Sequence, residues 1–479
     1  MNDYADEIWF GKKDVFSQDG RPAARIEFPK RKSWKRYVSS RRLEITCGEA
    51  PYLAERYDME SGEIISVRDR MGILDRKLRV VSENAQTETE WLEWAARAFG
   101  GSYGYEFQGD NVLIARVNLL MTFEEALRER WGREPRRAEY EKITNIIAWN
   151  IWQMDGLTGT IPYGAAEEEC QIVDWFGMLE TGGAPERPRC RVHNWTNETS
   201  FEFSSLPVRG KHGMKFDFVI GNPPYQQESN GANANDTPIY HYFYDAVFEI
   251  ADKAELISPA RFLFDAGGTP KEWNAKMLND PHLKMVLYES DSSKIFPNTA
   301  INGGIVILYR DKAENYGAIG MFTAYPELNA ILKKVQSVSP QSLGGLITNR
   351  GLYKYSDAAY EERPEEMKKT ADRRVAPSAF ERMPDLFTED KPDDGVEYIR
   401  IFGNLKNQRV YRWVRSDYVD PVMNLQKYKV FISKADGAAG QIGKPIPARI
   451  IGKPMVDGTG SGMYRNLYYY WRGRCQGRG

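Results

Sequence analysis

Residues 216–228 read FDFVIGNPPYQQE, and four of them, Asn222, Pro223, Pro224 and Tyr225, are of the types that can make an amine react. The Asn222 side chain offers a carbonyl oxygen as an acceptor. The backbone carbonyl of Pro223 is a second acceptor, held in place because proline fixes φ and donates no hydrogen bond. Tyr225 adds a flat face for a π-system. Two acceptors converging on an NH2 group hold its hydrogens away from the ring plane. The nitrogen lone pair then leaves conjugation and becomes nucleophilic, so a planar amide or an aromatic amine is the expected substrate. The bland reading is a Pro-Pro turn that caps a strand. It loses ground here because the tetrapeptide follows the apolar run FDFVIG. In an open α/β sheet, ligands bind beyond the carboxyl ends of strands, which is where these four residues fall.

Such a site needs a parallel sheet behind it, and the flanking sequence is patterned for one. LEITCGEAPYL (43–53) reads as a short strand running into a turn. Helical spacing follows over 66–100, through Val67, Met71, Ile73 and Leu74 and then Trp91, Trp94, Ala95 and Phe99. Tyr103-Gly-Tyr-Glu-Phe precedes a helix expected over Asn111–Phe123, and 123–155 reads as helical too, with Trp149 and Trp152 on one face. A Gly/Pro/Arg-rich stretch at 181–191 interrupts. A helix at 239–252 and the segments ISPARFLF, KMVLYES and GGIVILY continue the alternation to about 310. Strands alternating with helices predict an α/β fold, a mostly parallel sheet covered on both faces. After about 345, charged loops give way to short β-like segments (VEYIRIF, RVYRWV, YKVFIS, RIIGKPMV), which predict a smaller, β-rich or mixed C-terminal domain. The last stretch, MYRNLYYYWRGRCQGRG, fits neither pattern and reads as a truncated end.

Composition narrows the class. The chain has 479 residues, a net charge of −2 and 42% hydrophobic content, enough for packed cores and wrong for a disordered tail. The four cysteines (Cys47, Cys170, Cys190, Cys475) form no C-x-x-C pair, so neither a zinc knuckle nor a redox dithiol is expected, and no metal site is. No run approaches the ~18 apolar residues a membrane helix needs, so the expectation is a soluble, cytoplasmic protein with no membrane partner. Local charge says more than bulk charge. KRKSWKRYVSSRR (30–42) carries Lys30, Arg31, Lys32, Lys35, Arg36, Arg41 and Arg42 with Trp34 and Tyr37 among them, a pattern suited to phosphates and exposed bases or to a solvated basic loop.

The stretch FDFVIGNPPYQQE, with LEITCGEAPYL before it, resembles the N6-adenine DNA methyltransferases of bacterial restriction-modification systems, specifically the Eco57I-like methylases. The resemblance covers roughly residues 40–310. It implies a Rossmann-like S-adenosylmethionine-dependent methyltransferase sheet over 43–320, with an insertion at about 55–100 and a basic segment at 1–42 before it. Asn222 and the Pro223 carbonyl would accept from the adenine N6 amine of a flipped-out base, with Pro224 completing the motif. Tyr225 would stack on the ring, and Phe296 in KIFPNTAINGGIVILY would face it from the other side. In LEITCGEAPYL, Leu43, Glu44, Cys47 and Gly48 match the family's cofactor motif, while Ile45 and Ala50 depart from it, Ala50 standing where a second glycine is expected. Glu106 would accept from the ribose hydroxyls, about 60 residues on where 20–25 is usual. Asp174 would contact the cofactor's adenine, and Asp236 and Tyr240 would line its pocket, although core packing is the stronger reading for the tyrosines of that helix.

The order of these motifs is the gamma arrangement, which makes 345–479 the target-recognition domain. Its basic-aromatic segments Arg409–Arg415 and Lys427–Lys434 are candidates for DNA contact, a solvated face being the equal alternative. The implied partners are double-stranded DNA and a separate restriction endonuclease subunit. A non-catalytic DNA-binding or specificity subunit, or a methyltransferase acting on RNA or on protein glutamine, is the alternative.

Overall fold

The structure is a computed structural model. It describes residues 1–18, 21–162, 187–206, 214–227, 237–297, 299, 301–339, 347–348, 352–370, 372–376, 379–406, 408–422, 429–433, 455–457, 461–463 and 467–471. The chain divides into two units, Met1–Asn329 and Ala330–Gly479.

The first unit is built on a seven-stranded sheet. Its strands are β1 (Arg42–Ile45), β2 (Ser102–Glu106), β3 (Ile151–Gln153), β4 (Phe218–Gly221), β5 (Lys253–Pro259), β6 (Leu283–Glu289) and β7 (Ile305–Asp311). Their order is β6-β7-β5-β4-β1-β2-β3. The pairs among β1 to β5 are all parallel, and β7 alone runs against its two neighbours. Burial on both faces explains the strand sequences: β1 and β4 are covered at every position, so FVIG shows no alternation. The α/β, mostly parallel sheet expected from the sequence is therefore the fold.

Helices cover both faces. On one lie α1 (Asn2–Phe10), α2 (Trp34–Val38), α3 (Ile73–Asn84), α4 (Glu88–Gly100), α5 (Gly109–Trp131) and α6 (Arg137–Asn150). On the other lie α7 (Tyr240–Ile250), α8 (Lys271–Asn279) and a hairpin of Arg191–Asn194 with Thr199–Glu202. The crossover from β1 to β2 contains both α3 and α4, whose Ile73, Leu74, Leu78, Trp91 and Phe99 are core residues. Residues 73–100 are thus part of the wall of the fold, and this is what separates Glu44 from Glu106 so widely. The chain runs outward from β1 through β2 to β3, then returns to the other side of β1 for β4. That reversal opens a crevice at the β1 and β4 ends.

The basic-aromatic segment at 30–42 has a structural duty. Ser33 caps α2, Tyr37 is fully buried, and Trp34 packs edge-on against Trp94. Arg42 and Arg76, both buried, pair with Asp6 of α1 at 2.9 and 2.8 Å, and the Tyr37 hydroxyl donates to the same carboxylate. Buried Lys77 donates to the carbonyls of Ser40 and Gly101. Tyr37 and Arg42 are thereby removed from the candidates for base or phosphate contact; Lys30, Arg31, Lys35 and Arg36 are exposed.

In the second unit, strands β8 (Tyr398–Leu405) and β9 (Gln408–Arg415) form a hairpin. Its core contains Tyr353, Tyr355, Phe380, Ile399, Ile401, Val414 and Tyr418. Arg412 and Arg415 of β9 form ion pairs with Glu389 and with Glu362 and Asp417. Among the described residues no helix is long and apolar enough to cross a membrane, and no group of three or more His, Cys, Asp or Glu could hold a metal ion.

One residue, Asp6, balances two buried guanidinium groups. Asp6→Asn leaves Arg42 without its counter-charge and Arg76 with only the exposed Asp3 carboxylate, at 2.6 Å, and urea denaturation is expected to show a loss of about 3–5 kcal/mol. A loss below about 1 kcal/mol would mean that the network is not what fixes α1 to the sheet.

Candidate active site at the ends of β1, β2 and β4

Three left-handed backbone positions within five residues bend the chain after β1. Thr46, Gly48 and Ala50 have φ of 46°, 53° and 65°. For a β-branched residue such as Thr46 this is a strained conformation, of the kind that clusters at functional sites. Several bonds hold it. The Thr46 hydroxyl lies 2.9 Å from the Asn222 carbonyl, to which it can donate. The Gly48 N–H donates to Glu106 Oε2 at 2.8 Å. The Tyr52 and Leu53 N–H groups donate to the Glu44 carboxylate, at 3.4 and 2.9 Å. Burial pushes the Glu44 carboxyl well above the usual carboxylate range, and those two N–H groups pull against that rise.

These bonds join residues that the sequence placed far apart. Glu106 ends β2 and is buried, and besides Gly48 it accepts from the Gln108 N–H at 3.0 Å. Each carboxylate oxygen has capacity for a further donor. A side chain at Gly48 would meet nothing within 4 Å, so the space above this glycine is open. Cys47 is buried beneath, its Sγ 3.1 Å from where a Cβ on Gly104 would stand. An open glycine turn with a carboxylate beside it could hold the ribose portion of a nucleoside cofactor such as S-adenosylmethionine. Ala50, where the family has glycine, is fully buried, so its methyl packs into the loop's underside.

At the end of β4 the backbone of Gly221 lies against β1. A Cβ there would stand 2.3 Å from Ile45 Cγ1 and 2.7 Å from the Ile45 carbonyl. Only glycine permits this approach. Immediately after it, the Asn222 side-chain oxygen is buried and has no hydrogen-bond partner among the described residues, and the Tyr225 hydroxyl is in the same condition. Desolvation holds the Tyr225 hydroxyl above its ordinary range. Pro223 is buried and Pro224 exposed. The rings of Tyr225 and Phe296 are 6.4 Å apart at 67°, an edge contact, so a base between them requires one ring to turn.

The remaining expected site residues divide. Asp174 and Asp236 lie outside the described residues. Tyr240 follows Ile239, whose N–H donates to the Tyr225 carbonyl at 3.2 Å, but its ring packs into the core. It is buried on the opposite face among Phe262 and Trp273, and burial raises its hydroxyl to about 12. A residue missed in the sequence stands where the fold would ask for one: Asp155, two positions beyond β3. Its carboxylate accepts from the Leu157 N–H at 2.9 Å, an Asx turn. The strands β1, β2 and β3 are adjacent, so Glu44 and Glu106 stand on neighbouring strands and Asp155 lies in the turn that follows the third. The signal for it was the Asp-Gly pair at 155–156, a turn marker after an apolar run. A cavity of about 560 Å3 lined by Asp75, Arg79, Thr122 and Arg130 shares no residue with this site.

Gly221→Ala should displace β1 or Asn222 and cost about 1–3 kcal/mol by thermal unfolding. An unchanged melting temperature would mean that the β1–β4 approach is looser than the structure shows.

Residues 102–296 match the family described as Eco57I restriction-modification methylase, a span from the first strand after the glycine turn to Phe296. An uncharacterized adenine-specific methylase of Mycoplasma pneumoniae is 33% identical over 96 residues, 19% of this chain and 22% of the relative. Among solved structures, a nuclease-deletion mutant of the Type ISP restriction-modification enzyme LlaGI, in complex with a DNA substrate mimic, aligns with a TM-score of 0.40 at 13% identity, over 98% of this chain and 40% of that one. The Type IIL enzyme MmeI in complex with DNA aligns with a TM-score of 0.34 at 11% identity, over 92% of this chain and 57% of that one. The chain thus spans less than two thirds of the length of each. The matched span, residues 102–296, contains the asparagine, two prolines and tyrosine at the end of β4, so the similarity to the Eco57I restriction-modification methylases is carried by the segment that holds the candidate site.

Proposed function

We propose that the chain is a DNA methyltransferase that moves a methyl group from S-adenosylmethionine to the N6 amine of an adenine turned out of the duplex. The observation that carries this reading is the buried, unpartnered side-chain oxygen of Asn222 at the end of β4, beside Tyr225. A buried acceptor without a donor is costly, and an incoming NH2 group supplies the donor. The Pro223 carbonyl provides the second acceptor of the pair. Hydrogen-bonded from two sides, the amine nitrogen directs its lone pair toward the methyl donor. S-Adenosylmethionine, when bound, supplies an electrophilic methyl on a sulfonium.

The chain's own contribution is position. Thr46 ties the glycine turn to Asn222, which fixes donor and acceptor halves of the site to one another. Glu106 would hold the ribose hydroxyls. Asp155, two positions beyond β3, joins Asp174 as a candidate for the cofactor's adenine. Tyr225 and Phe296 would close on the extruded base once their rings align. The N6 proton leaves only after the new bond has formed, as an acidic ammonium N–H that passes to water, so no strong base is required. The second unit would read base edges, and a separate endonuclease would supply restriction.

Tritiated S-adenosylmethionine with mixed-sequence duplex DNA tests the reading. Label is expected in N6-methyladenine, and Asn222→Ala should lower its rate by roughly 10²–10³-fold. Label on RNA or protein, or equal labelling by the variant, would overturn it. Separately, Glu106→Gln should weaken S-adenosylmethionine binding roughly 10- to 100-fold in a calorimetric titration, the range for losing a charged hydrogen-bond partner. Unchanged affinity would remove Glu106 from the cofactor site.

A further inference from the structure

The face of the sheet that carries Glu44 and Glu106 carries a third acid that the chemistry above leaves unused. Glu255, in β5, is 0% exposed. Register places Glu44, Ile220 and Glu255 in one row across β1, β4 and β5. Side chains in one row share a face, so the two carboxyls flank Ile220 with their backbones about 10 Å apart, two strand spacings. Glu106 lies on the same face, because Gly104 pairs with Glu44 and Glu106 follows it by two.

The two flanking acids differ in their partners. Glu44 has two N–H donors, whereas neither oxygen of Glu255 has any among the described residues. Asn2 and Tyr4, on α1, are in the same condition at their side-chain oxygens. The first residues of α1 act electrostatically on Glu255, and Glu255 acts on Tyr4. Burial pushes the Glu255 carboxyl up to about 8, with the α-amino group of Met1 drawing it partly back. Tyr52, in the turn after β1, feels both Glu44 and Glu255, and Tyr225 feels Tyr52. Glu255 pairs with Ile220, two residues before Asn222, and so belongs to the neighbourhood of the crevice. Buried carboxyls without donors are rare because they are costly, and a cation with several N–H groups is the partner that relieves the cost.

We propose that Glu255 receives the ammonium group at the α-amino-acid end of the cofactor, with the side chains of Asn2 and Tyr4 at its rim. The assignment rests on the S-adenosylmethionine reading above. On that reading the ribose lies at Glu106 on β2, and the reacting methyl lies at Asn222 beyond β4. The third arm of the sulfonium then leaves toward β5. There Glu255 is the buried acid that has no donor among the described residues. An ammonium has three N–H donors, matching the two Glu255 oxygens and the Asn2 oxygen.

The test compares S-adenosylmethionine with 5′-methylthioadenosine, the same nucleoside thioether without the amino-acid end, by equilibrium calorimetry on the full chain and on Glu255→Gln. The variant is expected to bind S-adenosylmethionine roughly 10- to 100-fold more weakly, as for a buried charge pair that loses one partner. Its affinity for 5′-methylthioadenosine should be unchanged, which also shows that the fold is intact. Equal losses on both compounds, or no loss on either, overturn the assignment. A wild-type chain that binds 5′-methylthioadenosine and S-adenosylmethionine equally also overturns it, while one that binds neither overturns the cofactor reading itself.

Discussion

The approach of β4 to β1 at Gly221 is the constraint on which the site depends. With no side chain there, the backbone of one strand rests on Ile45 of the other, and the two strand ends emerge side by side. The turn after β1 and the tetrapeptide after β4 then come within one hydrogen bond, from the Thr46 hydroxyl to the Asn222 carbonyl. A site for joining two ligands must fix their separation closely, since misplacement of the reacting atoms by about 1 Å can cost 10²-fold in rate. Here the separation is set by a strand pair rather than by two independent loops. The strained φ at Thr46 is the cost of turning the chain so sharply, and the bonds to Glu44, Glu106 and Asn222 offset it.

The tetrapeptide at the end of β4 was legible in the sequence because its parts are consecutive. An apolar run, a glycine and four residues of suitable type need no tertiary information to be recognised. Glu106 was legible as well, although its distance from Glu44 is unusual. Two helices, α3 and α4, occupy the crossover, so spacing along the chain changed while adjacency of β1 and β2 did not.

What was not legible failed for identifiable reasons. β3 has only three residues and follows α6 directly, so Trp149 and Trp152 sustain a helical spacing across the boundary and hide the strand. Asp155 was hidden with it. The segment at 30–42 failed differently. Arginine beside aromatic rings suits nucleic acid, but it equally suits a buried guanidinium packed on a tyrosine, as Arg42 is on Tyr37. The residue that decides between the two, Asp6, is 36 positions away. Glu255 reads as an ordinary outward position in KAELISP until α1 is laid over the sheet.

Charge is distributed along the strands of the first unit with a consistent sense. At the start of β1, Arg42 joins the ion-pair network of α1 and α3; near its end, Glu44 shares a face with Glu106 on the neighbouring strand and with Glu255 beyond β4. A crevice bordered by acids, with low-dielectric walls, favours cationic ligands over neutral ones of the same shape. On the function proposed above, the methyl donor carries a sulfonium charge and the spent cofactor does not. The loss of that one charge weakens the product's attraction to the acids only in part, because its ammonium stays. An acceptor such as Asn222, neutral and without a donor of its own, adds nothing to that field, which leaves the adenine amine to be selected by hydrogen bonding and shape alone.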